Sequence, residues 1–168
     1  MYDFVSAQDL PKPELYRDLA STIKALVEGE RDAIANMANM AAAIWQFLPD
    51  LNWAGFYRVL PDSDPNSRDG ELVLGPFIGK PACIRIPFGK GVCGTAAALG
   101  KAQVVPDVLA FSGHIACDAA SRSELVVPII RDGRVIAVID LDSPTPGRFD
   151  DEDAAGVQHL AQIAALAI

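Results

Sequence analysis

Cysteine, glutamate and aspartate are the residues of this chain whose placement could do chemistry. Its three cysteines stand in the segments PACIRI (Cys83), GKGVCGT (Cys93) and GHIACDAA (Cys117). None has the CxxC spacing of a compact redox or metal motif, and an odd count leaves at least one thiol unpaired within the chain. Either three buried hydrophobes happen to be cysteines, or the fold gathers reactive thiols at one place. Cys93 is bracketed by Gly91, Gly94 and Thr95 where a helix should start. Backbone N–H groups there favour an anion, either the thiolate itself or a ligand carboxylate. The alternative is a small buried residue under an alanine-rich helix. No GKS or GKT occurs, so the segment is not a phosphate loop. Cys117 follows His114 by three residues. That spacing suits one face of a helical turn, where an imidazole could lower the thiol's pKa. Packing alone accounts for Cys117 equally well. Cys83 carries no independent signal and gains meaning only as a thiol that resolves an oxidised neighbour.

A second group is acidic. VIAVIDLDS sets Asp140 and Asp142 two residues apart on a strand, so both point the same way, about 6.6–6.8 Å apart and opposite Leu141. Ile136 and Val138 are expected on that same face. Glu124 opens the preceding strand. Pairing the strands symmetrically about Asp132–Gly133 puts Leu125 opposite Asp140, to within a residue, so three carboxylates converge. Crowded acids can hold a shared proton or seat an ammonium; the plain alternative is a solvated sheet end. The two histidines, His114 and His159, are too far apart to complete a standard zinc motif, and a metal is the minor reading. Trp53, Phe56 and Tyr57 could wall an apolar pocket or simply pack in the core.

These groups need a scaffold. A helix is expected over 13–28, opened by Pro13 and Glu14, after a loose arm of residues 1–12. A second helix over 31–48 carries Ile34, Met37, Ala41, Ile44, Trp45 and Leu48 at helical spacing and stops at Pro49. WAGFYRVL and ELVLGPFIG read as strands of a hairpin joined by PDSDPNSRDG. A short edge strand is expected at 84–86, a helix from Val92 or Cys93 to Gly100, and a brief extended piece at QVVPDV. SELVVPII, RDG and RVIAVIDLDS form a tight hairpin. Asp150 or Asp151 caps a closing helix that runs to Ile168. The order predicts a single α+β domain over 13–168, a mainly antiparallel sheet with flanking helices.

The chain has 168 residues, 51% hydrophobic, with a net charge of −8. That suits one well-packed domain and, with no basic block, argues against nucleic acid as a partner. No secretory or membrane-spanning pattern is seen, so cytoplasmic residence is expected, where cysteine pairs are more often catalytic than structural.

The segments LNWAGFYRV, LVLGPFIGKPACIRIPFGKGVCGTAA, DVLAFSGHIACDAASRSELVVPI and VIAVIDLDSPTPGRFDDEDAAG resemble the free methionine-(R)-sulfoxide reductases, a branch of the GAF-domain superfamily. The resemblance spans roughly residues 51–156. It implies a GAF-like fold and a homodimer whose terminal helices contribute to the interface. It implies free L-methionine-(R)-sulfoxide as substrate, thioredoxin as electron donor and no cofactor. Cys117 matches the cysteine that becomes a sulfenic acid, Cys83 the one that resolves it, and Cys93 a third active-site cysteine. Glu124, Asp140 and Asp142 match the carboxylates around the sulfoxide and ammonium, and Trp53 and Tyr57 the aromatic wall. Within that scheme Glu124 is the first candidate for proton donor, with Asp140 assisting and Asp142 binding the ammonium. A regulatory GAF domain that senses a small ligand is the competing reading.

Overall fold

The computed structural model describes residues 10–60, 70–111 and 119–168. The first nine residues, most of the first hairpin tip, and His114 and Cys117 lie outside the described residues. Helix α1 (Lys12–Val27) has Pro13 in its first turn, and α2 (Ala33–Phe47) is capped by Asp32, whose side chain accepts from the Ala35 N–H. Strands β1 (Trp53–Val59), β2 (Glu71–Gly79) and β3 (Arg85–Pro87) follow, then α3 (Gly91–Leu99), β4 (Gln103–Val105) and a 3-10 turn at Val108–Ala110. The chain closes with β5 (Ser123–Arg131), β6 (Arg134–Ser143) and α4 (Asp151–Ala167). Asp150 caps α4 in a reciprocal box with Asp153.

The six strands form one sheet in the order β3-β2-β1-β6-β5-β4, and every described pairing is antiparallel. Period-two alternation gives the sheet two apolar faces. One carries Ala54, Phe56, Leu125, Val127, Ile139 and Leu141 and packs on α1, α2 and α4. The other carries Trp53, Tyr57, Leu72, Val126 and Val138 and packs on α3. The expected α+β architecture with a mainly antiparallel sheet is therefore observed. No helix among the described residues is long and apolar enough to cross a membrane.

Three sequence expectations shift and one is refined. Phe56 faces the helices, so it belongs to the core and not to a pocket wall. Ile34, expected in the apolar stripe of α2, is exposed. The brief extended piece is β4, paired to β5 at the sheet edge. The β5–β6 register also slips by one. Arg131 pairs with Arg134 as symmetry about the turn requires, and Ile130 with Val135, but Ile129 then pairs with Ala137. Ile136 is the extra residue of a bulge. Beyond it Leu125 faces Leu141 and Val126 faces Asp140. The bulge also turns Ile136 toward the helix side and Val135 toward the α3 side.

One polar cluster ties α1 to α4. Asp153, almost fully buried, takes Lys12 Nζ at 2.6 Å, the Tyr16 hydroxyl at 2.9 Å and Arg148 Nη1 at 3.3 Å. Burial first, then Asp153, pushes the Tyr16 phenol well above its ordinary pKa. Lys12 also reaches Asp150, and that contact is the leading reason the Asp150 carboxyl falls to about 2.

Candidate active site

Antiparallel pairing turns the acidic spacing into a two-row array. Trp53 on β1, Asp142 on β6 and Glu124 on β5 form one rung across the sheet; Gly55, Asp140 and Val126 form the next. Tyr57 and Val138 follow, on the same face. The expected convergence of the three carboxylates is therefore present, with Glu124 directly opposite Asp142. Glu124 and Asp140 are each only 6% exposed, and Asp142 is half-buried. A solvated sheet end does not describe the first two.

Gly55 sits between Trp53 and Tyr57, the two ring-bearing positions of β1 on this face. A Cβ there would lie 2.4 Å from Phe77 Cβ, so only glycine lets Phe77 press against the strand. Phe77 stacks on Trp53 with centroids 5.2 Å apart, and Trp53 stacks on Tyr57 at 5.9 Å. The polar tips of this aromatic row are fixed as well. The Trp53 indole N–H donates to the Lys80 carbonyl at 3.1 Å, and the Tyr57 hydroxyl to the Cys83 carbonyl at 3.1 Å. The aromatic wall thus anchors the segment that carries Cys83, which is half-buried.

Helix α3 closes the recess from the other side. Its first turn lies against β3 because position 94 is glycine: a Cβ would come within 2.3 Å of the Pro87 carbonyl. The Gly89 N–H also donates to the Gly94 carbonyl at 2.7 Å. This approach brings Cys93 over the acids. Cys93 Sγ, a Glu124 oxygen and an Asp140 oxygen all lie within 4.8 Å of one another, and all three residues are buried.

The electrostatics follow from that burial. Desolvation, then the Asp140 and Glu124 charges, pushes the Cys93 thiol well above its ordinary pKa. The start of α3 led to the opposite expectation, an anion-favouring cysteine; loss of water and two adjacent carboxyls outweigh the helix N-terminus. Desolvation, then Asp140 and Asp142, likewise raises Glu124 well above the carboxylate range. Asp140 rises to about 7 through burial, restrained by hydrogen bonds from Cys93 and Glu124. The recess therefore favours the protonated forms of the Cys93 thiol and the Glu124 carboxyl, with Asp140 titrating at about 7, and so can hold a proton away from water.

The recess is narrow, with about 40 Å³ of cavity behind a mouth open to solvent. Trp53, Tyr57, Cys93, Glu124, Asp140 and Asp142 all line it. Cys83 follows the lining residue Ala82, and Cys117 lies outside the described residues. Sequence reasoning missed Lys80, Lys90 and Ser121 in the lining. The lysines carry no motif. Ser121 is held by Asn52, whose side-chain amide donates to its hydroxyl at 3.0 Å across 69 residues of chain.

A buried acid pair thus faces a thiol under an aromatic wall, on an antiparallel sheet with α3 closing one side, and the sequence profile of the GAF domain family matches residues 35–168. The sequence is 49% identical to the Escherichia coli (strain K12) protein named free methionine-R-sulfoxide reductase, over 89% of this chain and 86% of that one. The X-ray structure of free methionine-R-sulfoxide reductase from Neisseria meningitidis, in complex with its substrate, superposes with a TM-score of 0.89 at 44% identity, covering 99% and 95% of the two chains. A Burkholderia vietnamiensis protein described as a GAF sensor superposes with a TM-score of 0.86 at 52% identity, covering 94% and 96%. The chain belongs to the free methionine-(R)-sulfoxide reductase family of the GAF-domain superfamily.

Proposed function

We propose that this chain reduces free L-methionine-(R)-sulfoxide to L-methionine. The observation that carries the reading is the buried Glu124–Asp140 pair beside Cys93 and beneath Trp53 and Tyr57. Sulfoxide reduction needs a nucleophilic sulfur and a proton for the departing oxygen. Glu124, whose burial and acidic neighbours favour its protonated form, delivers that proton while Asp140 accepts its hydrogen bond. The attacking sulfur is Cys117, by family resemblance. Its attack on the sulfoxide sulfur transfers the oxygen, releases methionine and leaves Cys117 as a sulfenic acid. The Cys83 thiol then condenses with it, forming a disulfide and releasing water. A thioredoxin dithiol reduces that disulfide by exchange. Cys93 acts as a protonated helper, since its surroundings disfavour a thiolate. Trp53 and Tyr57 enclose the methyl-sulfur end. Asp142, half-buried on the same face, takes the ammonium, and Lys80 and Lys90 bring positive charge to the mouth where a carboxylate arrives. We propose a homodimer through the terminal helices, consistent with the almost fully exposed Leu166 on α4.

The test is NADPH oxidation through thioredoxin reductase and thioredoxin, with the free (R)- and (S)-sulfoxides and an N-acetylated (R)-sulfoxide as substrates. Turnover of the free (R) form alone is expected. Binding of that form without turnover would sink the reductase reading and favour a ligand-sensing GAF domain.

A further inference from the structure

The thiol and the two acids that store the proton are also a donor set. Cys93 Sγ and one oxygen each from Glu124 and Asp140 converge within 4.8 Å from three different elements, α3, β5 and β6. A second observation concerns the innermost acid. Asp140 is more than nine-tenths buried and lines the recess, yet among the described residues its Oδ1 has no hydrogen-bond partner. A buried carboxylate oxygen is normally satisfied, so this one is left for something that enters the recess.

We propose that the reduced site binds one thiophilic divalent cation of the zinc type through Cys93, Glu124 and Asp140, and that the bound ion reversibly blocks the pocket. One thiolate and two carboxylates suit zinc better than magnesium or calcium, which take oxygen donors in larger numbers. Zinc bonds of about 2.3 Å to sulfur and 2.0–2.2 Å to oxygen put tetrahedral donor atoms roughly 3.3–3.6 Å apart. The cluster therefore has to draw in by at most about 1.5 Å, within reach of small side-chain rotations. The fourth position opens into the recess, for water.

Binding displaces the protons that the thiol and the two carboxyls carry; these go to solvent, and nothing is oxidised or reduced. The blocking effect rests on the reductase reading: the ion occupies the place where the sulfoxide oxygen meets its proton donor and removes that proton. Binding itself does not depend on that reading.

The experiment titrates the full-length, reduced chain anaerobically with cobalt(II) chloride and then zinc chloride. One cobalt per chain, with a sulfur-to-cobalt charge-transfer band in the near ultraviolet that zinc abolishes, is expected. Cys93→Ser should lose the band and weaken zinc binding by more than the roughly 10–100-fold that loss of an outer-shell partner costs. Cys83→Ser and Cys117→Ser should keep the band. Its absence from the unmutated chain, or its survival in Cys93→Ser, overturns the site. A wild-type measurement guards against a misfolded variant: zinc should slow alkylation of Cys93 by iodoacetamide, and unchanged alkylation also overturns the site. Cobalt ligation through Cys93 in a chain that never reduces sulfoxide would refute the reductase reading and leave the site standing. Sulfoxide turnover without a sulfur–cobalt band would do the reverse.

Discussion

Replacing Asp140 by asparagine removes an ionisable group from the recess while keeping its size, and its effect can be worked from the structure. Asp140 moves from an ordinary 3.8 to about 7, because burial disfavours its charge more than the Cys93 and Glu124 hydrogen bonds restore it. The sign follows from linkage. Below pH 3.8 the group is protonated in both folded and unfolded chains and contributes nothing. Between 3.8 and about 7 the unfolded chain ionises and the folded one does not, so stability falls as pH rises. Above about 7 the loss is complete. A rise of about three pH units corresponds to about 4 kcal/mol, an upper bound because Glu124 shares the proton. Asp140→Asn removes this term, whatever fixed cost its own packing and hydrogen bonds carry. Urea unfolding of both reduced proteins at about pH 4 and about pH 8.5 reads the difference. Relative to wild type, the variant should gain about 2–4 kcal/mol between the two conditions. A wild-type-minus-variant difference independent of pH would refute the buried-charge account of the recess.

Glu124→Gln should be nearly silent for substrate affinity, because the amide keeps the size of the acid and can still donate and accept hydrogen bonds, yet lower the rate of sulfoxide reduction by about 10²–10⁴; equal losses in binding and rate would reject Glu124 as proton donor. Gly94→Ala should cost about 1–3 kcal/mol in urea unfolding, since its methyl group would meet the Pro87 carbonyl at 2.3 Å. Activity should fall with it as Cys93 is displaced, and a variant of wild-type stability would mean that α3 re-seats freely. Lys12→Met should return Asp150 from about 2 toward the ordinary carboxylate range, read by NMR titration. Asp150 stabilises the fold above its unfolded pKa and loses that contribution as pH falls through about 2, so the variant's acid stability should drop slightly, well under 1 kcal/mol for so exposed a pair. A titration unchanged in Lys12→Met would assign the shift to the α4 backbone N–H groups instead.

The parts of this site that lie along one strand or one tight turn were legible in the sequence. IDLD, near the end of the strand, alternates apolar and polar residues, so Asp140 and Asp142 could be placed on one face without a structure. Asp132 and Gly133, with φ of 52° and 77°, mark the hairpin that brings Glu124 beside them. The one-residue register error has a local cause, the bulge at Ile136, and nothing in the residues RVIAV announces it. What could not be read depends on contacts between distant segments. Lys12 and Asp153 meet across 141 residues, and Asn52 and Ser121 across 69. Cys93 shows the same limit in chemical form. Its glycine-flanked helix start favours an anion, and only the packing of α3 against β5 and β6 reveals that two acids and lost solvent reverse that preference.

That reversal also explains how one strand can supply two aspartates with different surroundings. Asp140 sits in a rung with Gly55 and Val126, over the buried Val138, in the middle of the sheet. Asp142 sits one rung further out, between Trp53 and Glu124, and remains half-buried. Two residues of strand, about 6.6–6.8 Å, carry a carboxyl from a site that water reaches to one that it does not. Burial is tolerable inside because the opposite face of the same strands, at Leu125, Ile139 and Leu141, is locked into the helical core and cannot yield to hydrate the acid. Burial therefore favours the protonated form of Asp140, and of Glu124 on β5, while Asp142 stays within reach of water, so the two aspartates of one strand have different surroundings. The strand's period of two is enough to separate them.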